Sequence, residues 1–266
     1  MPDVQTFFRR WRAWSDEVRA SMPHARDLRY GPTADETLDL VVPQAGSPLA
    51  VFFHGGYWRR LHKDDATYVA RGLSPHGVAT AIVNYGLSPA LTLEEITAQA
   101  RRAVQWLRTN ASAYGADATR LVLVGHSAGG QLAGMCAVDA PVPAVVTLSG
   151  LHDLRPLIHS GVQAWLQLDE ARAAALSPAL LRPAAPTAIR AIAGTRESDA
   201  FHMQARVLVD AWRACGCDAS YAASEDDHFT LADRLADPHD PLAAEIASLA
   251  RGGATGATET HTAAAP

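Results

Sequence analysis

Apolar positions recur along this chain in two different rhythms, and the switches between them outline its elements. Val4, Phe7, Phe8, Trp11, Trp14 and Val18 fall at helical spacing within residues 3–20. That spacing predicts a helix docked by one stripe on the rest of the protein rather than lying on a membrane. Residues 36–43, E-T-L-D-L-V-V-P, alternate in polarity and stop at a proline, which predicts an edge-region strand. Short apolar runs follow at 49–53, 78–85, 121–124, 144–150, 187–194 and, more weakly, 218–223. Each suits a strand buried on both faces. Helical stretches separate them. One starts at Asp64 or Asp65 and reaches about His76. A second is capped by Thr92, with Glu95 completing a capping box, and runs to about Tyr114. Others follow residue 128, span 199–214, and span 241–250. Strand and helix alternate throughout, which predicts an α/β fold with a mostly parallel central sheet and helices on both faces. Between Leu151 and Leu181 the pattern breaks into short pieces, where a small cap is expected. Residues 1–250 form the expected single domain. The Gly/Ala/Thr-rich stretch 251–266, with His261, is expected to be a disordered tail.

Composition narrows the function classes. A chain of 266 residues with 48% hydrophobic content suits one domain with a sizeable core. A net charge of −5 gives no reason to expect a nucleic-acid partner. Cys136, Cys215 and Cys217 have neither a disulfide framework's spacing nor a zinc site's, so reduced cysteines in a cytoplasmic protein are expected. No apolar signal-peptide core appears near the start, where aromatics are mixed with arginines, and no run approaches the ~18 apolar residues of a membrane span. No metal or other cofactor is expected. The expected partner is a small-molecule ester or amide, and a homodimer is compatible with it.

The chemistry concentrates at Leu121–Gln131, L-V-L-V-G-H-S-A-G-G-Q. Gly125-His126-Ser127-Ala128-Gly129 matches G-x-S-x-G between a predicted strand and a small-residue helix, the context that puts a serine on a strained, projecting turn. A serine hydroxyl needs a base, and the base needs an orienting carboxylate. On such a framework both lie downstream, acid first. Of the later histidines, only His228 sits in a short loop after the last predicted strand. Glu197 and Asp199 both follow the preceding strand. Asp199 lies where a helix starts and an acid is useful as a cap, which favours Glu197. Asp153 follows a different strand and carries less weight. His54-Gly55-Gly56-Tyr57 ends an earlier strand. Its glycines let main-chain N–H groups converge on one point, so Gly55, Gly56 and Tyr57, with Ala128 from the elbow, are the candidate oxyanion donors. His54, Trp58 and His126 are the candidate substrate contacts, although His54 also suits a role in bracing its loop. Tyr57 and Trp58 suit either plain packing or one wall of an aryl slot, of which Leu154, Leu157, Ile158 and Trp165 would form the roof.

HGGYW, GHSAGGQLA, G-T-R-E-S-D-A-F-H-M-Q and D-H-F together resemble the α/β-hydrolase branch that contains kynurenine formamidases, with hormone-sensitive-lipase-like esterases as neighbours. The resemblance covers about residues 28–250 and includes Ser149-Gly150-Leu151-His152-Asp153-Leu154 and Ser177-Pro178. It implies an α/β-hydrolase fold and, through the match of Gly194–Ser198 to G-x-x-[D/E]-S, Glu197 as the acid. It also implies a metal-free serine hydrolase cleaving an aryl formamide such as N-formylkynurenine. A carboxylesterase for short-chain or aryl esters is the alternative, and a non-catalytic ligand receptor is a weaker one. The chain departs from the branch in its short region before Tyr30, which puts any substrate contacts made from there in doubt.

Overall fold

The computed structural model describes residues 3–252; the expected tail from 253 onward, His261 included, lies outside the described residues. Eight strands form one sheet: β1 (His24–Arg29), β2 (Thr37–Val41), β3 (Ser47–Phe53), β4 (Ala79–Val83), β5 (Ala116–His126), β6 (Ala144–Leu148), β7 (Ala188–Gly194) and β8 (Ala219–Ser224). Their order is β1-β2-β4-β3-β5-β6-β7-β8. The two pairings made by β2 are antiparallel and all others are parallel.

Alternation along the central strands sends side chains to two separate cores. Leu49, Val51, Phe53, Leu121 and Leu123 point to one face. Ala50, Phe52, Val122 and Val124 point to the other. Five longer helices cover these faces: α1 (Val4–Ser21), α2 (Leu93–Asn110), α3 (Ala128–Asp139), α4 (Asp199–Ala214) and α5 (Pro241–Ala250). Helices α2, α3 and α4, with the 151–181 excursion, pack on the first face, while α1 and α5 pack on the second. Thr92 and Glu95 close the expected capping box at the start of α2.

Three local expectations are corrected. The 36–43 strand is not the outermost, because β1 pairs outside it. The sequence H-A-R-D-L-R carries no apolar alternation, so its pairing was invisible locally. Charge supplies the tie instead: Lys63 Nζ lies 2.8 Å from both Asp27 and the fully buried Asp39. The stretch 63–76 is a chain of 3₁₀ turns around one short α-turn, Ala70–Leu73, and not one helix. Its cap is His62, whose side chain accepts from the Asp64 N–H while Asp65 closes the box.

Candidate active site

All chemistry-bearing residues collect at the C-terminal ends of the parallel strands, where open α/β sheets bind their ligands. Strand β5 ends at His126 and α3 begins at Ala128, leaving Ser127 alone to make the turn, with φ 54° and ψ −120°. A non-glycine residue there is strained. The turn closes only because its flanks lack side chains. A Cβ on Gly125 would meet the Gly129 carbonyl oxygen at 2.2 Å, and one on Gly129 would meet the Phe53 carbonyl oxygen at 2.0 Å. The second contact presses α3 against the end of β3, so the glycine loop after β3 reaches the elbow. The position of a Gly55 Cβ lies 3.1 Å from the Cβ of Ser127.

That glycine loop runs through three successive positive φ values, 102° at Gly56, 52° at Tyr57 and 54° at Trp58. Trp58 holds it in place. The expectation that Trp58 forms a wall of the substrate slot is corrected: its side chain is fully buried in the core, with Nε1 donating to Gln131 Oε1 at 3.2 Å. A large apolar side chain after a tight loop is more stable in the core than at a wet mouth. His54 likewise does not reach the substrate cavity. It stacks on Tyr85 at 4.3 Å, Tyr85 donates its hydroxyl to the His54 carbonyl at 2.6 Å, and burial pushes the imidazole down to about 4. Both residues brace the loop that carries the candidate N–H donors. Ala128 opens α3, where the first N–H groups of a helix have no intrahelical partner.

The loops after β7 and β8 are laced together. Thr195 N–H donates to the Ser224 carbonyl at 2.7 Å and Arg196 N–H to the Asp226 carbonyl at 3.0 Å. This brings Glu197 to His228, with Oε1 2.5 Å from Nδ1. A carboxylate only accepts, so Nδ1 carries the hydrogen and Nε2 is left with its lone pair. The other oxygen of Glu197 accepts from Ser149 Oγ at 2.6 Å and from the Gly194 N–H at 2.7 Å. Burial alone would raise the Glu197 carboxyl, but the hydrogen bonds from His228, Ser149 and Gly194 outweigh it and hold the group below its ordinary range. Asp227 fixes the His228 loop by accepting from the Phe229 and Thr230 N–H groups, each at 2.9 Å. Asp199 is elsewhere: it is exposed in the first turn of α4, behind the N-cap Ser198. Asp153 pairs with Arg155.

His126 is buried and its Nε2 donates to the His228 carbonyl at 2.8 Å. Burial, reinforced by the His228 ring, pushes it down to about 3, so it is neutral.

Ser127, His126 and His228 line one cavity of about 280 Å³ with Gly56 and Tyr57 from the glycine loop. Its remaining walls are Val4, Phe8 and Trp11 from α1, Arg59, Arg60 and Leu61, Trp165 from the excursion, and Phe229. Of the expected roof only Trp165 lines it; Leu154, Leu157 and Ile158 pack into the core. Sequence reasoning missed the α1 wall, the two arginines and Ser149. A signal for Ser149 existed in the quoted S-G-L-H-D-L segment, but its link to Glu197 is made only in three dimensions. Among the described residues no group of three or more His, Cys, Asp or Glu side chains is arranged to hold a metal ion, and no helix is long and apolar enough to cross a membrane.

Known proteins resemble the chain in sequence and in fold. The BD-FAE family model matches residues 38–160. The kynurenine formamidase of Danio rerio is 28% identical over 243 residues, covering 85% of this chain and 82% of that protein. The kynurenine formamidase of Drosophila melanogaster is 26% identical over 250 residues, covering 82% and 83%. A crystal structure from Silicibacter sp., assigned provisionally as a thioesterase, superposes with a TM-score of 0.83 at 32% identity, covering 92% of this chain and 94% of that one. The chain belongs to the α/β-hydrolase superfamily and is similar to kynurenine formamidases within it. It is a hydrolase.

Proposed function

We propose that the chain is a serine hydrolase that removes a small acyl group from an aryl formamide of the N-formylkynurenine type. The observation that carries this reading is the 2.5 Å contact of Glu197 with His228 at the same aromatic-walled cavity that Ser127 lines. Ser127 Oγ adds to the formyl carbon while His228 Nε2 takes its proton. The oxyanion is received by the Ala128 N–H and by N–H groups of Gly55, Gly56 and Tyr57. Collapse breaks the C–N bond, and the arylamine leaves with the proton held by His228. Water then gives a proton to the same histidine, attacks the formyl-enzyme and releases formate. Glu197 keeps the proton on Nδ1 throughout and stabilises the imidazolium. His126 orients the His228 main chain.

Two features favour an aryl formamide. Ser127 is only 1% exposed, which suits the smallest acyl group. Tyr57, Trp165, Phe8, Trp11 and Phe229 suit a flat leaving group. The similarity to two kynurenine formamidases supports the same substrate class. The second reading, a carboxylesterase for short or aryl esters, is supported by the similarity to the esterase LipQ of Mycobacterium tuberculosis, 30% identical over 136 residues. The three unpaired cysteines support a reducing, cytoplasmic location.

A hydrolysis panel tests the choice, setting N-formylkynurenine against p-nitrophenyl esters of rising chain length. The expected kcat/KM is highest for N-formylkynurenine and falls with acyl length. Eight-carbon esters as the best substrates, with aryl formamides untouched, would overturn the formamidase reading.

A further inference from the structure

The charged groups at the mouth of the cavity are all of one sign. Arg59 and Arg60 line it, both exposed, and no acidic side chain does, among the described residues. The carboxylates nearest along the chain are already engaged: Asp64 by Lys63 and Arg12, Asp65 by Arg12. Arg59 is held in a specific pose. Its guanidinium lies 4.7 Å from the centre of the Trp165 ring, and Trp165 is itself fixed by donating Nε1 to the Tyr57 carbonyl at 3.1 Å. A guanidinium stacked by its face keeps its N–H edge free, and that edge matches a carboxylate in two parallel hydrogen bonds. Tyr57 therefore ties the cationic group to the loop that carries the candidate oxyanion donors.

We propose that Arg59, stacked on Trp165 and seconded by Arg60, binds a carboxylate on the leaving group, so that the preferred substrates are aryl esters or formamides bearing an acid remote from the scissile bond. This rests on Ser127 and His228 being the reactive pair, but not on the formamide preference. With no acidic side chain at the mouth, an ammonium on the same substrate faces water, and the acid without it is accepted equally.

The test compares 3-carboxyphenyl acetate with 3-carbamoylphenyl acetate, two esters alike in size and differing in charge. Both are esters, so the comparison is read even if aryl formamides are not cleaved. The wild-type protein is expected to favour the anionic ester by kcat/KM. Arg59→Gln should cut that preference about 10-fold, through KM for the anionic ester, as loss of a charge-assisted hydrogen bond requires. Arg60→Gln should cut it less, and Arg59→Lys should restore it in part, because a point charge lacks the planar fork. A preference that Arg59→Gln leaves unmoved, or a wild-type protein indifferent to the carboxylate, overturns the proposal.

Discussion

Two adjacent strands end in the same way and put the result to different use. Ser127 follows β5 and Ser149 follows β6; both have positive φ, 54° and 49°, and both are buried. Each main-chain N–H is tied to the neighbouring strand, Ser127 to the Leu148 carbonyl at 2.8 Å and Ser149 to the Ile192 carbonyl at 2.7 Å. Yet Ser127 opens on the cavity, whereas the Ser149 hydroxyl is committed to Glu197. The backbone strain is thus a device for aiming a hydroxyl, and what the hydroxyl meets decides its role. The glycines around Ser127 leave room for a ligand; the space before Ser149 is filled by a carboxylate.

The comparison breaks most severely at Ser127. Ser127→Ala should leave the fold intact and lower kcat by about 10³-fold or more, because nucleophile and base act as a unit. Steady-state kinetics beside a thermal melt check it, and a tenth of wild-type activity remaining would refute the assignment. Glu197→Gln comes next, with a loss of about 10³-fold, since the amide can present a donor to His228 Nδ1 and favour the wrong tautomer. Asp199→Asn is its control and should stay within about twofold of wild type, costing only the ~0.3–1 kcal/mol of a charge at an exposed helix start. If Asp199→Asn were the near-dead variant, the acid would be misassigned.

Ser149→Ala has a smaller catalytic effect than Glu197→Gln, about a 10-fold fall in kcat, from one lost hydrogen bond to a charged group. It also changes the pH response. Glu197 titrates lower in the folded chain than its ordinary value of about 4.3. The stability this supplies is complete above that value and lost as pH falls through the depressed one. Removing the Ser149 donor lets the folded value rise. The stability gap between wild type and variant should therefore be constant above about pH 5 and shrink below the ordinary carboxylate range. Urea unfolding at several pH values reads this gap; one that widens on acidification would contradict the sign.

The sequence was most informative where a requirement is local. The elbow shows itself because Gly125 and Gly129 leave no space for a Cβ. The choice of Glu197 over Asp199 was reachable because a helix start explains one acid and not the other. Thr92 and Glu95 read as a cap from spacing alone. Other features depend on partners remote in sequence. Periodicity marked one face of α1 as buried, but not that Val4 and Phe8 would line the cavity. Trp58 reads equally as packing or as a substrate wall beside a functional loop, and only its contact with Gln131, 73 residues on, places it in the core. Strand β1 is held through Lys63, a residue outside the sheet.

The α1 wall links the reacting centre to the stability of a peripheral helix. Phe7 stacks on Phe229 at 4.9 Å, and Trp11 Nε1 donates to Asp233 at 2.6 Å, so the helix is fastened to the segment that begins with His228. Any ligand that touches Val4, Phe8 or Trp11 gains contacts available only while α1 is docked. Linkage then requires that binding suppress the local opening of this helix by the same free energy that its docking adds to the binding. Occupancy of the cavity and attachment of α1 are two readings of one equilibrium.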